Sequence, residues 1–258
     1  WRPTEDVLLF AKVATGFRSG GYPSFITQPG TFTTLDPESV TSYEVGFKSE
    51  WADNTVRLNG AGYYMEYTDQ QVQTPNTMGP GLVITNAASS NIWGGELELE
   101  FAPTDEIRLW GNVGYTDAVF DDYSVEIVIP VAGGGVTTII EDYSGNSLPY
   151  APEWTAGFGG TYDIPVGADH RVQLGTRWSY RSMIFFDPYA DMAAADDSFL
   201  QGDLHASYGS NDGAWTFTVF AKNVTNEIVK GFQYNIGYVA PIQYAPKRLF
   251  GARLNYQF

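Results

Sequence analysis

Asp203, His205 and Ser207 carry the functional groups of a hydrolytic triad within five residues. They alternate with Leu204, Ala206 and Tyr208, so they fall on one face of a strand. On a strand, side chains at i and i+2 stand roughly 6–7 Å apart, too far for a nucleophile to share a proton with its base. They read as polar residues lining a wet surface, and no catalytic residue is expected. His170 sits beside a turn and needs no role. Gly157-Phe-Gly-Gly160 and Ser19-Gly-Gly21 lack the strand-to-helix setting of a phosphate loop. With no cysteine, a disulfide scaffold, a thiolate metal site and a cysteine nucleophile are excluded. No metal site and no cofactor are expected, although the Asp-rich intervals offer the carboxylate oxygens that Ca²⁺ prefers.

Two charged stripes and one aromatic group are better candidates, and their work is binding. Glu96, Glu98 and Glu100 form an acidic stripe, and Arg171, Arg177 and Arg181 a basic one. If both line a lumen, they are expected to pair with each other and with whatever fills it. Tyr123, Tyr143, Tyr150, Phe185, Phe186, Tyr189, Tyr234, Tyr238 and Tyr244 fall in long connecting intervals. Aromatic platforms of that kind hold planar chelates or sugar rings. The intervals are acidic: no Lys or Arg occurs between Arg108 and Arg171, or between Arg181 and Lys222. That sign, with a net charge of −16, disfavours a strongly anionic solute and excludes nucleic acid as a partner.

The elements that position these residues are strands. The terminal stretch puts Phe250, Ala252, Leu254, Tyr256 and Phe258 on one parity and Gly251, Arg253, Asn255 and Gln257 on the other. The same alternation runs through 41–51, 56–66, 93–101, 107–115, 153–162, 172–181, 199–208 and 215–219; a further strand, of ambiguous facing, is expected at 6–17. About ten antiparallel strands of nine to eleven residues result, with no convincing helix. Tight turns alternate with long intervals, and aromatics close both ends of most apolar faces (Tyr43 and Trp51, Trp93 and Phe101, Trp154 and Tyr162).

A soluble β-sandwich explains the alternation but neither of the other two regularities. A transmembrane β-barrel explains all three: crossings of ~9–11 residues, aromatic girdles, and short turns on one side only. No window is apolar enough for a membrane helix, and nothing at Trp1 resembles a secretion signal.

The phrases Pro37-Glu-Ser-Val-Thr-Ser-Tyr-Glu-Val-Gly-Phe-Lys-Ser-Glu-Trp51, Asn59-Gly-Ala-Gly-Tyr-Tyr-Met-Glu-Tyr-Thr-Asp69, Gly95-Glu-Leu-Glu-Leu-Glu100 and Leu148-Pro-Tyr-Ala-Pro-Glu-Trp154 occur in that order. Lys222-Asn-Val-Thr-Asn-Glu227 and the terminal Pro246–Phe258 close the series. Together they resemble the C-terminal barrel half of TonB-dependent outer-membrane receptors over nearly the whole chain. The resemblance implies the last ten or so strands of a 22-stranded plugged barrel, in the outer membrane of a Gram-negative bacterium.

Its implied partners are outer-membrane lipid, a plug domain and a TonB-contacting region outside these residues, and a scarce nutrient such as a siderophore, cobalamin or oligosaccharide. The barrel-assembly machinery would read Phe250, Leu254, Tyr256 and Phe258. The stripes Glu96/Glu98/Glu100 and Arg171/Arg177/Arg181 would face the lumen and plug. A small self-contained barrel, porin-like or enzymatic, stays open if the first and last strands pair.

Overall fold

A computed structural model describes residues 1–22, 34–75, 82–233 and 240–257. In chain order the strands are β1 (Val7–Arg18), β2 (Glu38–Trp51), β3 (Val56–Pro75), β4 (Leu82–Phe101), β5 (Ile107–Pro130), β6 (Val136–Asp142), β7 (Trp154–Val166) and β8 (His170–Arg181). They continue with β9 (Ile184–Phe185), β10 (Ala195–Asp196), β11 (Phe199–Ser210), β12 (Trp215–Lys222), β13 (Lys230–Gln233), β14 (Ile242–Tyr244) and β15 (Leu249–Tyr256). One 3₁₀ turn, Met192–Ala194, is the only helical element among the described residues.

Ten of these strands make one antiparallel meander in the order β1-β2-β3-β4-β5-β7-β8-β11-β12-β15. The other five lie in the long connections, as three hairpins: β5–β6, β9–β10 and β13–β14. The short turns, 52–55, 102–106, 167–169 and 211–214, all fall at one end of the sheet. At the first of them Ala52, Asp53 and Asn54 all adopt positive φ, which packs the reversal into very few residues.

The apolar parity is outside. Val45, Leu97, Phe158, Leu204 and Phe250 are all exposed, Phe250 at 70%. A sandwich would cover these residues with a second sheet, and none packs here. The aromatic ends hold too. Tyr43 stacks on Tyr64, and Trp93, Tyr115 and Trp154 form a cross-strand row with centroids 5.3 and 4.8 Å apart. The facing of β1 is settled by register: Leu9 opposes Phe47 and Val13 opposes Tyr43, so both join the apolar face, whereas Leu8 opposes Lys48.

One expectation fails, and one alternative is set aside. The wall strands are not uniform, running from 8 residues in β12 to 24 in β5. The extra length of β3, β4 and β5 lies beyond the aromatic row, in stretches that read as loops because their turn-forming residues broke the alternation. The sheet is also open: β1 pairs only with β2 and β15 only with β12. A ten-stranded barrel closed by its own first and last strands is therefore not formed.

Candidate functional site

Beyond the aromatic row, on the polar side of the wall, the chain builds a small core. At Asp121 the ladder slips: Ser90 pairs with Phe120, Ser89 with Asp122 and Ala88 with Tyr123. This bulge turns Phe120 and Tyr123 to the same face although they are three residues apart. Ala88, Phe120, Tyr123 and Val125 are buried there, with Val72, Tyr143 and Leu148 against them. The connections fold over this patch. Tyr143 N–H donates to Tyr123 O, Gly145 N–H to Phe120 O and Leu148 N–H to Ala118 O.

A chain of rings runs outward from the core. Phe120 and Tyr123 are 4.7 Å apart between centroids, Tyr123 and Tyr143 5.8 Å, and Tyr143 and Tyr189 4.8 Å. Tyr150 meets Phe186 edge-on at 5.3 Å, and its N–H donates to Phe185 O. The β9–β10 and β13–β14 connections are tied to each other and to the wall by charge. Arg181 donates to Asp196 at 2.5 Å with its guanidinium over the Phe199 ring, while Lys230 Nζ donates to Ala195 O and Gln233 Nε2 to Ala193 O.

The outer part of this rim is anionic. Tyr143 donates its hydroxyl to Glu141, and burial, then Glu141, push its phenol well above the ordinary value. Burial does the same for Tyr123 and Tyr189, and it raises the Asp187 carboxyl. Asp187 accepts from the N–H groups of Tyr189 and Asp191. Asp142 moves the other way, held low by the Ser144 hydroxyl and N–H.

The polar face of the wall carries the two stripes, and they do not meet. Arg57 opposes both Glu50 and Glu100, and its guanidinium bridges them at 3.0 and 3.2 Å. Asn59 donates to Glu98 at 3.5 Å. Glu96 and Arg181 share a row but lie on β4 and β8, three strand spacings apart, or about 14 Å. The expected pairing of the stripes is thus replaced by Arg57 for Glu100, Asp196 for Arg181 and the Trp110 ring for Arg177, whose guanidinium stands 5.7 Å from the ring centroid. Arg171 is exposed near the short-turn end. Trp110 lies flat over Gly159, where an added Cβ would meet its ring at 2.7 Å. His205 covers Gly175 in the same manner. Of the apparent triad, Asp203 accepts from Asn223 N–H and Ser207 bonds Thr218 at 2.8 Å.

The aromatic group expected at the rim therefore divides. Tyr143, Phe185 and Tyr189 are partly exposed, Tyr150 and Tyr244 exposed. Tyr123 and Phe186 are packing residues, Tyr123 at 0% exposure, and offer a ligand no ring face. Tyr234, Tyr238 and Phe258 lie outside the described residues, while Phe250, Leu254 and Tyr256 stand exposed on the apolar face. Sequence reasoning missed Phe120 as part of the rim; Glu141 and Asp187 stood in its acidic intervals but were not singled out as site residues.

A family model described as TonB dependent receptor-like, beta-barrel matches residues 1–256. The chain belongs to that family. Among its relatives, the probable TonB-dependent siderophore receptor PiuA of Acinetobacter baumannii is 25% identical over 218 residues, covering 82% of this chain and 27% of that protein. The pesticin receptor of Yersinia pestis is 28% identical over 171 residues, covering 64% of this chain and 22% of that receptor. Among solved structures, the ferric yersiniabactin uptake receptor FyuA from Yersinia pestis superposes with a TM-score of 0.80 at 20% identity, covering 99% of this chain and 36% of that one. The copper transporter OprC does so with a TM-score of 0.67 at 16% identity, covering 99% and 38%. At such identities the structures speak for fold alone. This TonB-dependent receptor barrel segment thus spans 27% and 22% of the lengths of those two relatives.

Proposed function

We propose that these residues are the C-terminal wall of a larger outer-membrane receptor that takes up a scarce small solute of the siderophore class. The observation that carries this reading is the pairing of an exposed apolar face, closed at both ends by aromatics, with a polar face on the same open sheet. Lipid solvates the first face and a water-filled lumen the second. The two free strand edges then pair with the rest of a wall, and Glu96, Glu98, Glu100, Arg171 and Arg177 face a plug domain across the lumen. The short-turn end is periplasmic and the aromatic rim extracellular.

Function here is capture and passage, with no bond made or broken. The rim holds the solute, and energy delivered through TonB displaces the plug so that the solute enters the periplasm. Phe250, Leu254 and Tyr256 present the terminal strand to the assembly machinery. The names of the relatives favour a siderophore over cobalamin or an oligosaccharide.

The test is uptake of radio-iron chelates by iron-starved Gram-negative cells producing the full-length polypeptide, with TonB present or deleted. Accumulation that needs both the receptor and TonB is expected. Accumulation indifferent to TonB would mean a passive channel, and a polypeptide folded and monomeric in buffer without detergent would overturn the membrane reading itself.

A further inference from the structure

The first of the three connection hairpins, β5–β6, stands apart from the other two. The strands of β9–β10 and β13–β14 are two to four residues long, and Asp196, Lys230 and Gln233 tie those hairpins to each other. In β5–β6, seven successive pairs run from Ser124↔Asp142 to Pro130↔Val136 without a slip. β6 has no strand on its other side. Alternate residues of such an edge turn their N–H and C=O groups away from the partner strand. Among the described residues no hydrogen bond joins residues 136–140 to anything but β5. The side chains are equally bare: Val136 is 69% exposed and Ile140 71%, with Ile139 and Val131 exposed beside them.

Nothing guards this edge. Residues 136–142 contain no Lys, no Pro and no bulge, the devices by which exposed edges refuse a further strand. Val136, Thr137, Thr138, Ile139 and Ile140 are of the types that pair best across strands. A two-stranded ribbon alone in water is marginally stable, whereas a third strand makes it self-supporting.

We propose that β6 takes up, along its free edge, an extended cation-bearing segment of another polypeptide as a third strand. The charge of that segment follows from the root of the hairpin. Asp121, Asp122 and Glu126 are exposed, none is in an ion pair among the described residues, and no Lys or Arg occurs between Arg108 and Arg171. Glu126 opposes Ile140, so Glu126, Ile140 and Asp142 share one face of the ribbon. A strand added antiparallel to β6 brings its N-terminal end to that face, where lysine or arginine meets complementary charge. A second copy of this chain would bring its own acids instead. Strand addition is recognition by backbone, with side chains selecting the partner. The inference therefore goes beyond the uptake of a small solute and does not rest on it.

The experiment uses the full-length receptor in detergent micelles and a short synthetic peptide of alternating valine and threonine with lysines at its N-terminal end. Amide hydrogen exchange at 136–142 is followed by mass spectrometry. Free exchange is expected in the receptor alone, and saturable slowing, by at least about tenfold at alternate amides, with the peptide. The same peptide N-methylated along one edge keeps its charge and side chains, and is expected to bind at least about tenfold more weakly. Ile140→Lys sets a like charge on the exposed edge and is expected to weaken binding at least about tenfold. Glu126→Gln is expected to weaken it about two- to fivefold, as loss of an exposed ion pair does. Unchanged exchange at 116–123 shows that each variant is folded.

Equal slowing by the N-methylated peptide, or none by either, would overturn the proposal. So would protection already complete in the receptor alone, which would mean that its own chain covers the edge. Protection that grows with receptor concentration in the absence of peptide would assign the edge to a second copy and overturn it as well. Failure of chelate uptake would sink the uptake reading and leave this edge standing.

Discussion

The membrane-crossing wall and the rim above it are built on opposite plans. In the wall most large apolar side chains point out and stay exposed, and the inner face carries mainly polar groups, with rings such as Trp110 laid over glycines. The rim points its apolar residues inward: all nine buried hydrophobic residues among those described lie beyond the Trp93–Tyr115–Trp154 row or in the connections that cover it. The wall holds together through its ladder of backbone hydrogen bonds and, in the setting proposed above, the lipid around it. The rim holds together as a soluble protein does, by a core and a few buried polar ties. On the proposed reading the same chain meets two solvents, and a given substitution has opposite meanings on either side of the aromatic row.

The largest effect is expected from emptying the rim core. Phe120→Ala should cost about 3–5 kcal/mol of local stability, seen as lost hydrogen-exchange protection at 118–148 with protection at 172–180 unchanged; equal loss in both regions would erase the distinction between them. Removing the partner of a buried charge comes close behind. Asp196→Ala strands Arg181 and should cost about 3 kcal/mol, reduced to the extent that water reaches the guanidinium, and it should release the β9–β10 and β13–β14 connections together. In the wall, Leu97→Arg on the lipid side should cost about 2–4 kcal/mol when the full-length receptor is unfolded from vesicles. Asn112→Arg, on the polar face, should stay within about 0.5 kcal/mol.

The smallest test is pH. Burial raises the Asp187 carboxyl, so the folded rim binds a proton more tightly than the unfolded chain. Its contribution is fully present below the ordinary carboxylate pKa and is lost as pH rises through the raised one. Rim protection should thus fall from acid toward neutral pH, and Asp187→Asn should remove that slope. Asp142, held low by Ser144, acts in the opposite sense, its contribution fading as pH falls through the depressed pKa. Asp142→Asn should therefore steepen the Asp187 slope.

Which parts were legible in the sequence follows the same division. Period-2 alternation is a property of one strand, so the facing of Leu97, Phe158 and Tyr256 could be read directly. Pairing belongs to two strands. Arg57 was visible on a polar face, but that its partners are Glu50 and Glu100 depends on register, and so the stripes at Glu96–Glu100 and Arg171–Arg181 looked like natural partners when two strands, β5 and β7, lie between them. The rim was the least legible part because its key event is a bulge. One extra residue at Asp121 places Phe120 and Tyr123 on one face at a spacing that fits neither strand period, and the acids around it read as loop. Tyr123 was singled out as a rim aromatic, and its complete burial was not legible.

Every wall strand pairs with its neighbour in chain order. Consequently the sheet can grow by adding one strand at a time, across a short turn and a long connection alternately, and no pairing within it waits for a strand remote in chain order. The outstanding cost sits at the two ends of the meander, where β1 and β15 each lack a second neighbouring strand, although Leu9 already exchanges hydrogen bonds with Trp1. Hydrocarbon cannot solvate unpaired amides and carbonyls. If these strands belong to the larger membrane wall proposed above, the slow moment of its assembly is expected to be the sealing of two seams, with an energetic weight that grows with seam length: 12 residues along β1 but 8 along β15.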